Sequence, residues 1–428
     1  MVLAVAVLIL VFGSAILNRY GKEKAMRAFG EAHPGYALRI GDLNYSIGAN
    51  RLVADSVTLS ATNTTFKVGR ISLVGVRWAR LFWGAATLAD ALAKASLNAT
   101  NLNVEFPQAH YEIRCAWLRA SVPGSELIAE GTELGPLVGD EAFFAAHAFR
   151  TPRFRVVLPE CRVVGLAYRE LLQGRAYRAQ SVHCFRPSLD ALINRDKPSQ
   201  PFVKSPLMVH ELLASIRQPL QIGSLSITGG QFSYCERLAV GADPAVVTFK
   251  AVSLSAKGID NRGEVTAAIQ LRGQGELMNA GTLKMVMSIP ITPPDFSLHY
   301  SGSLGAMDLT RLDAFLNVAE HTRIKSGRAQ EAACEIDVTA GQARGHVRAI
   351  YKDLEIAVLD KHTGSEKGLA DRVASFFANA LKIRSSNAPD ASSAMKEGEV
   401  NYTRKPDEEF QQFVWFALRS GVLDVISH

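Results

Sequence analysis

Short runs in which apolar and polar residues alternate recur through most of this chain and leave few architectures open. Leu38 and Ile40, Val57 and Leu59, and Ile71 and Leu73 sit in such runs, each bounded by Gly, Asn or Asp. Successive side chains of a strand point to opposite faces, so this pattern predicts half-buried strands joined by turns. Leu102, Val104 and Phe106 alternate in the same way, and residues 154–158 and 161–168 continue the theme.

The second half repeats it with Ile222, Leu225 and Ile227, then Val252, Leu254 and Ala256. Val265, Ala267, Ile269 and Leu271 follow, and then Leu283, Met285, Met287 and Ile289. Strands at this spacing predict an antiparallel meander. Cys334, Ile336 and Val338, and later Leu354, Ile356 and Val358, return to the pattern after a short helix predicted over 308–318, which Asp308 caps. Residues 23–32 and 87–95 also read as brief helices.

Two helical patterns close the chain. Leu369, Val373, Phe376, Phe377 and Leu381 keep helical spacing, as do Phe410, Phe413, Val414, Ala417 and Leu418. Trp415 and Phe416 widen the second apolar face, which therefore either caps the β structure or meets a membrane or partner. The fold class expected from these patterns is mainly β with flanking helices, built on an antiparallel sheet.

The 428 residues are 48% hydrophobic and 21% charged, too apolar for disorder and too polar for a polytopic membrane protein. The net charge of +6 is spread rather than clustered, so no nucleic-acid partner is expected. Residues 2–17 carry no charge, and Val2, Leu8, Ile9, Leu10 and Leu17 mark them as a single transmembrane anchor near the shortest length that spans a bilayer. A cleaved signal peptide is the rival, with small residues at Gly13, Ser14 and Ala15. Arg19, Lys22, Lys24 and Arg27 follow the anchor and, under the positive-inside rule, argue for a cytoplasmic body. A large domain can be translocated despite such charges, so both orientations stay open.

The segments Tyr36-Ala-Leu-Arg-Ile-Gly-Asp-Leu-Asn-Tyr45 and Arg51-Leu-Val-Ala-Asp-Ser-Val-Thr-Leu59 resemble the opening of AsmA-like bacterial envelope proteins. Met307-Asp-Leu-Thr-Arg-Leu-Asp-Ala-Phe-Leu316, Ile324-Lys-Ser-Gly327, Val347-Arg-Ala-Ile-Tyr-Lys-Asp-Leu354, residues 376–384 and Gly398-Glu-Val-Asn-Tyr402 resemble the C-terminal core of related domains. The resemblance implies an elongated, curved antiparallel sheet open along one side as an apolar groove, an inner-membrane anchor with a periplasmic body, and a part in phospholipid transport or outer-membrane homeostasis. An envelope-protein partner is compatible with it.

Under that expectation the lipid-facing candidates are Ile227, Leu283, Met285, Met287 and Ile289, with Lys284 and Ser288 turned outward. A closed core is the equal alternative for the same residues. The expected segments are 1–18 as anchor, 19–200 and 201–360 as two β-rich regions, and 361–428 as a closing part. The proline-bearing stretch 194–206 is the expected linker.

No nucleophile elbow, phosphate loop, zinc-protease or calcium-loop pattern occurs, so no enzyme, cofactor or metal is expected. His183 beside Cys184 points to the opposite face of a strand, and Asp295, Asp308 and Asp313 lack metal-ligand spacing. The five cysteines, Cys115, Cys161, Cys184, Cys235 and Cys334, form no CxxC pair and are expected mostly as small buried side chains. Two further readings stay open: an envelope adaptor that carries no lipid, and a soluble lipid chaperone released by cleavage after Ala15.

Overall fold

Alternation becomes strand across the described part of the computed structural model, where 58% of the residues are strand and eighteen strands lie in one mixed sheet. The structure describes residues 21–32, 35–46, 48–78, 87–198, 207–239, 241–263, 267–291, 295–359, 383–389, 395–406 and 408–427. No helix among these residues is long and apolar enough to cross a membrane. The anchor candidates Val2, Leu8, Ile9, Leu10 and Leu17, the helical pattern from Leu369 to Leu381, and Val265 lie outside the described residues. The chain divides into two compact units. The first holds the described residues up to Phe143 with Phe154–Ser188 and Gln218–Ser224, and the second holds Phe144–Arg153, Leu189–Arg217 and the described residues from Leu225 onward.

In the first unit, helix α1 (Gly21–Ala32) precedes six strands of eleven residues each: β1 (Tyr36–Ser46), β2 (Arg51–Ala61), β3 (Thr64–Val74), β4 (Ser96–Phe106), β5 (Tyr111–Ser121) and β6 (Glu126–Pro136). Between β3 and β4 lies α2 (Leu88–Ala91), whose Thr87 cap and Asp90 side chain exchange hydrogen bonds with each other's backbone. Helix α3 (Asp140–Ala146), β7 (Arg153–Val164), α4 (Tyr168–Leu172) and β8 (Tyr177–Phe185) follow. Each of β1 to β7 pairs antiparallel with the next.

The core of this unit lies on one face of β1 to β5. Phe66, Val57, Val68 and Ile71 are buried there together with Phe29 of α1, Leu92 after α2, and Tyr168 of α4. Tyr45 and Trp78 meet edge to face at 5.5 Å. The opposite face carries ion pairs, among them Asp55 with Arg70 and Lys67 with Glu105.

The second unit contains nearly all of β9 (Ser188–Asn194), α5 (Val209–Ser215), the part of β10 (Leu220–Arg237) from Leu225 onward, β11 (Ala245–Asp260), β12 (Ala268–Leu277), β13 (Gly281–Pro290), β14 (Leu298–Leu304), β15 (Met307–Asp308), α6 (Asp313–Ala319), β16 (Thr322–Thr339), β17 (Gln342–Val358), β18 (Glu397–Thr403) and α7 (Phe410–Ile426). Strands β11 to β14 and β16 to β18 form the antiparallel meander that the spacing predicts. Asp308 caps a 3₁₀ turn at Leu309–Leu312, and the Asp313 carboxylate accepts the Ile324 amide at 2.8 Å.

Helix α7 caps the sheet. Phe413, Ala417 and Val425 are fully buried against β17 and β18, and the Tyr300 hydroxyl donates to the Val414 carbonyl at 3.2 Å. The helix lies so close that a Cβ on Gly398 would come within 2.1 Å of the Gly421 carbonyl oxygen. Trp415 remains 39% exposed, while Phe416 packs beside Tyr402.

Candidate apolar binding face

The first unit carries a feature that strict period-two reading does not capture. In β2 the buried residues are Leu52 and Ala54, then Val57 and Leu59, so Asp55 and Ser56 in succession turn outward. In β3 they are Phe66 and Val68, then Ile71 and Leu73, and in β4 Leu97 and Ala99, then Leu102. The slip falls at aligned positions: Gly41 stands opposite Ser56, Gly69 opposite Asn101 and Ala116 opposite Gly131. Ser56, Asn101 and Gly131 all have left-handed backbone, with φ of 53°, 53° and 59°. A side chain at 131 itself would be crowded, since a Cβ on Gly131 would approach that of Ala116 to 3.0 Å. Such irregularities bend and over-twist the strands that carry them, as bulges do.

Because directly opposed residues share a face, the register links these positions into apolar rows across the unit. One row runs Leu73, Leu97, Ala120, Leu127, Val163, Val182. The next runs Ile71, Ala99, Leu118, Ala129, Cys161, Cys184. Beyond the slip, Leu102, Cys115, Thr132 and Leu158 align, and so do Val104, Ile113, Leu134 and Val156. Thr132 is the one polar side chain in the four rows.

Cover changes along the rows. On β2 to β4 the side chains are at most 8% exposed wherever the core includes them, and Ala99 is fully buried. On β6 to β8 Leu127, Leu134, Val156, Leu158, Val163 and Val182 are only half-buried. No residue of β7 or β8 belongs to the core cluster, and Phe154, on the same face, is 39% exposed. The outer face there is charged: Arg119 pairs with Glu130, Arg114 with Glu133, and Arg162 with Glu160.

Cys161 and Cys184 form a disulfide and so depart from the expectation of small buried side chains, which the free Cys115 and Cys235 meet. Their strands place them directly opposite each other in the register, a relation that only the paired structure reveals. His183, on the other face of β8, has its Nε2 2.9 Å from the Ser181 hydroxyl. Cys115 and Cys235 are buried, and burial pushes the Cys235 thiol up to about 11. Among the described residues no group of three or more His, Cys, Asp or Glu side chains is placed to hold a metal ion.

The lipid-facing candidates of the second unit share one face of β13, as alternation requires, but their cover is uneven. Met287 and Ile289 are 3% and 4% exposed, in the cluster that contains Phe413 and Ala417 of α7. Leu283 and Met285 are half-buried, and Met285 lies between Gly273 and Gly302 on the neighbouring strands. Lys284 is exposed, while Ser288 accepts a hydrogen bond from Gln270 at 2.8 Å. Ile227 stands apart from this group, half-buried on β10.

No protein-family model matches the chain, and no curated protein matches it significantly.

Proposed function

We propose that the chain is a non-enzymatic envelope protein that binds phospholipid acyl chains on an apolar sheet face and assists intermembrane lipid transport or outer-membrane homeostasis. The observation that carries this reading is the half-covered part of the four apolar rows on β6 to β8, backed by a charged outer face. Each methylene moved from water onto such a surface gains about 0.8 kcal/mol, with no bond chemistry needed.

The proposed location is the inner membrane, with a single-pass anchor in the first eighteen residues and the body in the periplasm. The Cys161–Cys184 disulfide supports an oxidising compartment for the body, because such bridges persist outside the cytosol. The rival reading, an adaptor for envelope assembly machinery that carries no lipid, is favoured by the closed packing at Met287 and Ile289.

Photocrosslinking in cells tests the choice, with the probe at Val163, Val182 or Met285 and controls at Arg162 and Lys284. Phospholipid adducts confined to the first three positions support the binding face. A normally folded protein that yields only protein adducts, or equal labelling at all five positions, supports the adaptor.

A further inference from the structure

The disulfide sits within the apolar face, at the end of the row that runs from Ile71 through Ala129. The loop it closes spans 23 positions and contains the segment that covers one end of that face. Tyr168 of α4 is 4% exposed in the core, and Leu166, Leu171 and Leu172 pack against it. The polar ties of this strap are local. The Tyr168 hydroxyl donates to the Glu126 carbonyl at 2.5 Å and the Leu166 amide to the Ser125 carbonyl at 2.9 Å, Arg169 pairs with Asp90 on the surface, and on β8 Arg178 takes the Ala167 amide on its carbonyl at 2.9 Å and pairs with Glu170 at 3.1 Å. The strands that flank the strap share a ladder of only five registered positions, from Glu160 with Phe185 to Val164 with Ser181. The bridge crosses that ladder at its second position, and both of its cysteines are half-exposed, within reach of an external thiol.

We propose that Cys161–Cys184 is a reducible clasp that sets how firmly the strap over residues 165–176 covers the apolar face. A thiolate of an external dithiol attacks one sulfur of the bridge, forming a mixed disulfide and expelling the other cysteine as a thiolate. The second thiol of the same reagent then displaces the remaining cysteine. The reagent leaves oxidised as a disulfide, its two protons and two electrons now on Cys161 and Cys184. With the bridge open, the short ladder and the strap's local hydrogen bonds hold α4 more weakly, and the apolar surface beneath it opens more often. The consequence for lipid rests on the binding-face reading above, whereas the clasp itself does not.

The test uses the oxidised full chain with and without dithiothreitol. It reads free thiols by alkylation, backbone hydrogen exchange by mass spectrometry, and uptake of a fluorescent phospholipid from vesicles. Reduction is expected to speed exchange over 165–176 at least ten-fold while β4 changes less than two-fold, and to raise phospholipid uptake. The C161S/C184S double variant should show the faster exchange without reductant and ignore its addition. Unchanged exchange over 165–176 after complete reduction overturns the clasp. So does equal acceleration across β1 to β4, which would make the bridge a general staple. Faster local exchange with no phospholipid uptake in either state upholds the clasp and removes the lipid reading.

Discussion

Strands β2 to β4 and strands β6 to β8 carry the same apolar rows, yet the first group is core and the second is half-open surface. The difference lies in what rests on them. Phe29, Leu92 and Tyr168 cover the first group, and among the described residues nothing comparable joins β7 or β8 to the core cluster. An apolar row thus says only which face a strand turns inward. Elements distant in sequence decide whether that face becomes interior.

The largest expected effect is at Phe66. Phe66→Ala removes a ring that is 1% exposed and should cost about 3–5 kcal/mol, read from urea unfolding of the full chain. Leu158→Ala, on the open group, should cost less than about 1 kcal/mol. Equal losses would mean that both groups are equally covered in solution, and the contrast would collapse.

Gly398→Ala probes the closed face of the second unit. The added methyl meets the Gly421 carbonyl, so α7 must shift, at a cost of about 1–3 kcal/mol. Faster hydrogen exchange confined to α7 and β18 would mark that shift. A variant as stable as the parent would show that the helix does not bear on the sheet there.

A smaller change is expected at Tyr168, where burial, above all, pushes the phenol from 10.0 up to about 12. A folded-state value raised above the unfolded one stabilises fully below pH 10 and is lost as pH climbs toward 12. The stability of the first unit should therefore decline across that window. Tyr168→Phe should flatten the decline and, by orphaning the Glu126 carbonyl, cost about 1–2 kcal/mol at neutral pH. An unchanged pH profile would place Tyr168 in water.

The smallest effect on stability, and the sharpest on binding, is expected from Val182→Ser. Unfolding should move by no more than about 1 kcal/mol, while phospholipid crosslinking at Val163, its opposed neighbour, should fall several-fold. Undiminished labelling would detach binding from these rows.

Much of the fold was legible in the sequence, because strand periodicity and helix caps are local. Asp308 caps as its position suggests, and the meander through Leu283 to Ile289 keeps its alternation. The aligned slip was missed for a physical reason. Gly41, Ser56 and Asn101 are residues that usually mark turns, so each eleven-residue strand reads as two shorter runs. The spacing i, i+2, i+5, i+7 in Leu52, Ala54, Val57 and Leu59, repeated in Phe66, Val68, Ile71 and Leu73, is the signal that reveals it. Depth of cover was not legible at all. Met287 and Ile289 look like Leu283 and Met285 in sequence, and what separates core from surface is the packing of distant elements, among them α5, which meets β13 from far upstream in the chain.

The aligned slip also makes length an adjustable property. A small residue on one strand answers a left-handed residue on the next, first in β1 and β2, again in β3 and β4, and again in β5 and β6. The hairpin is therefore the unit of growth. Inserting or deleting one such pair of strands would lengthen or shorten the rows while leaving their cross-section unchanged, as in other architectures whose repeats touch only their neighbours. Chains built on this rule could differ widely in reach and still present the same surface along their whole length.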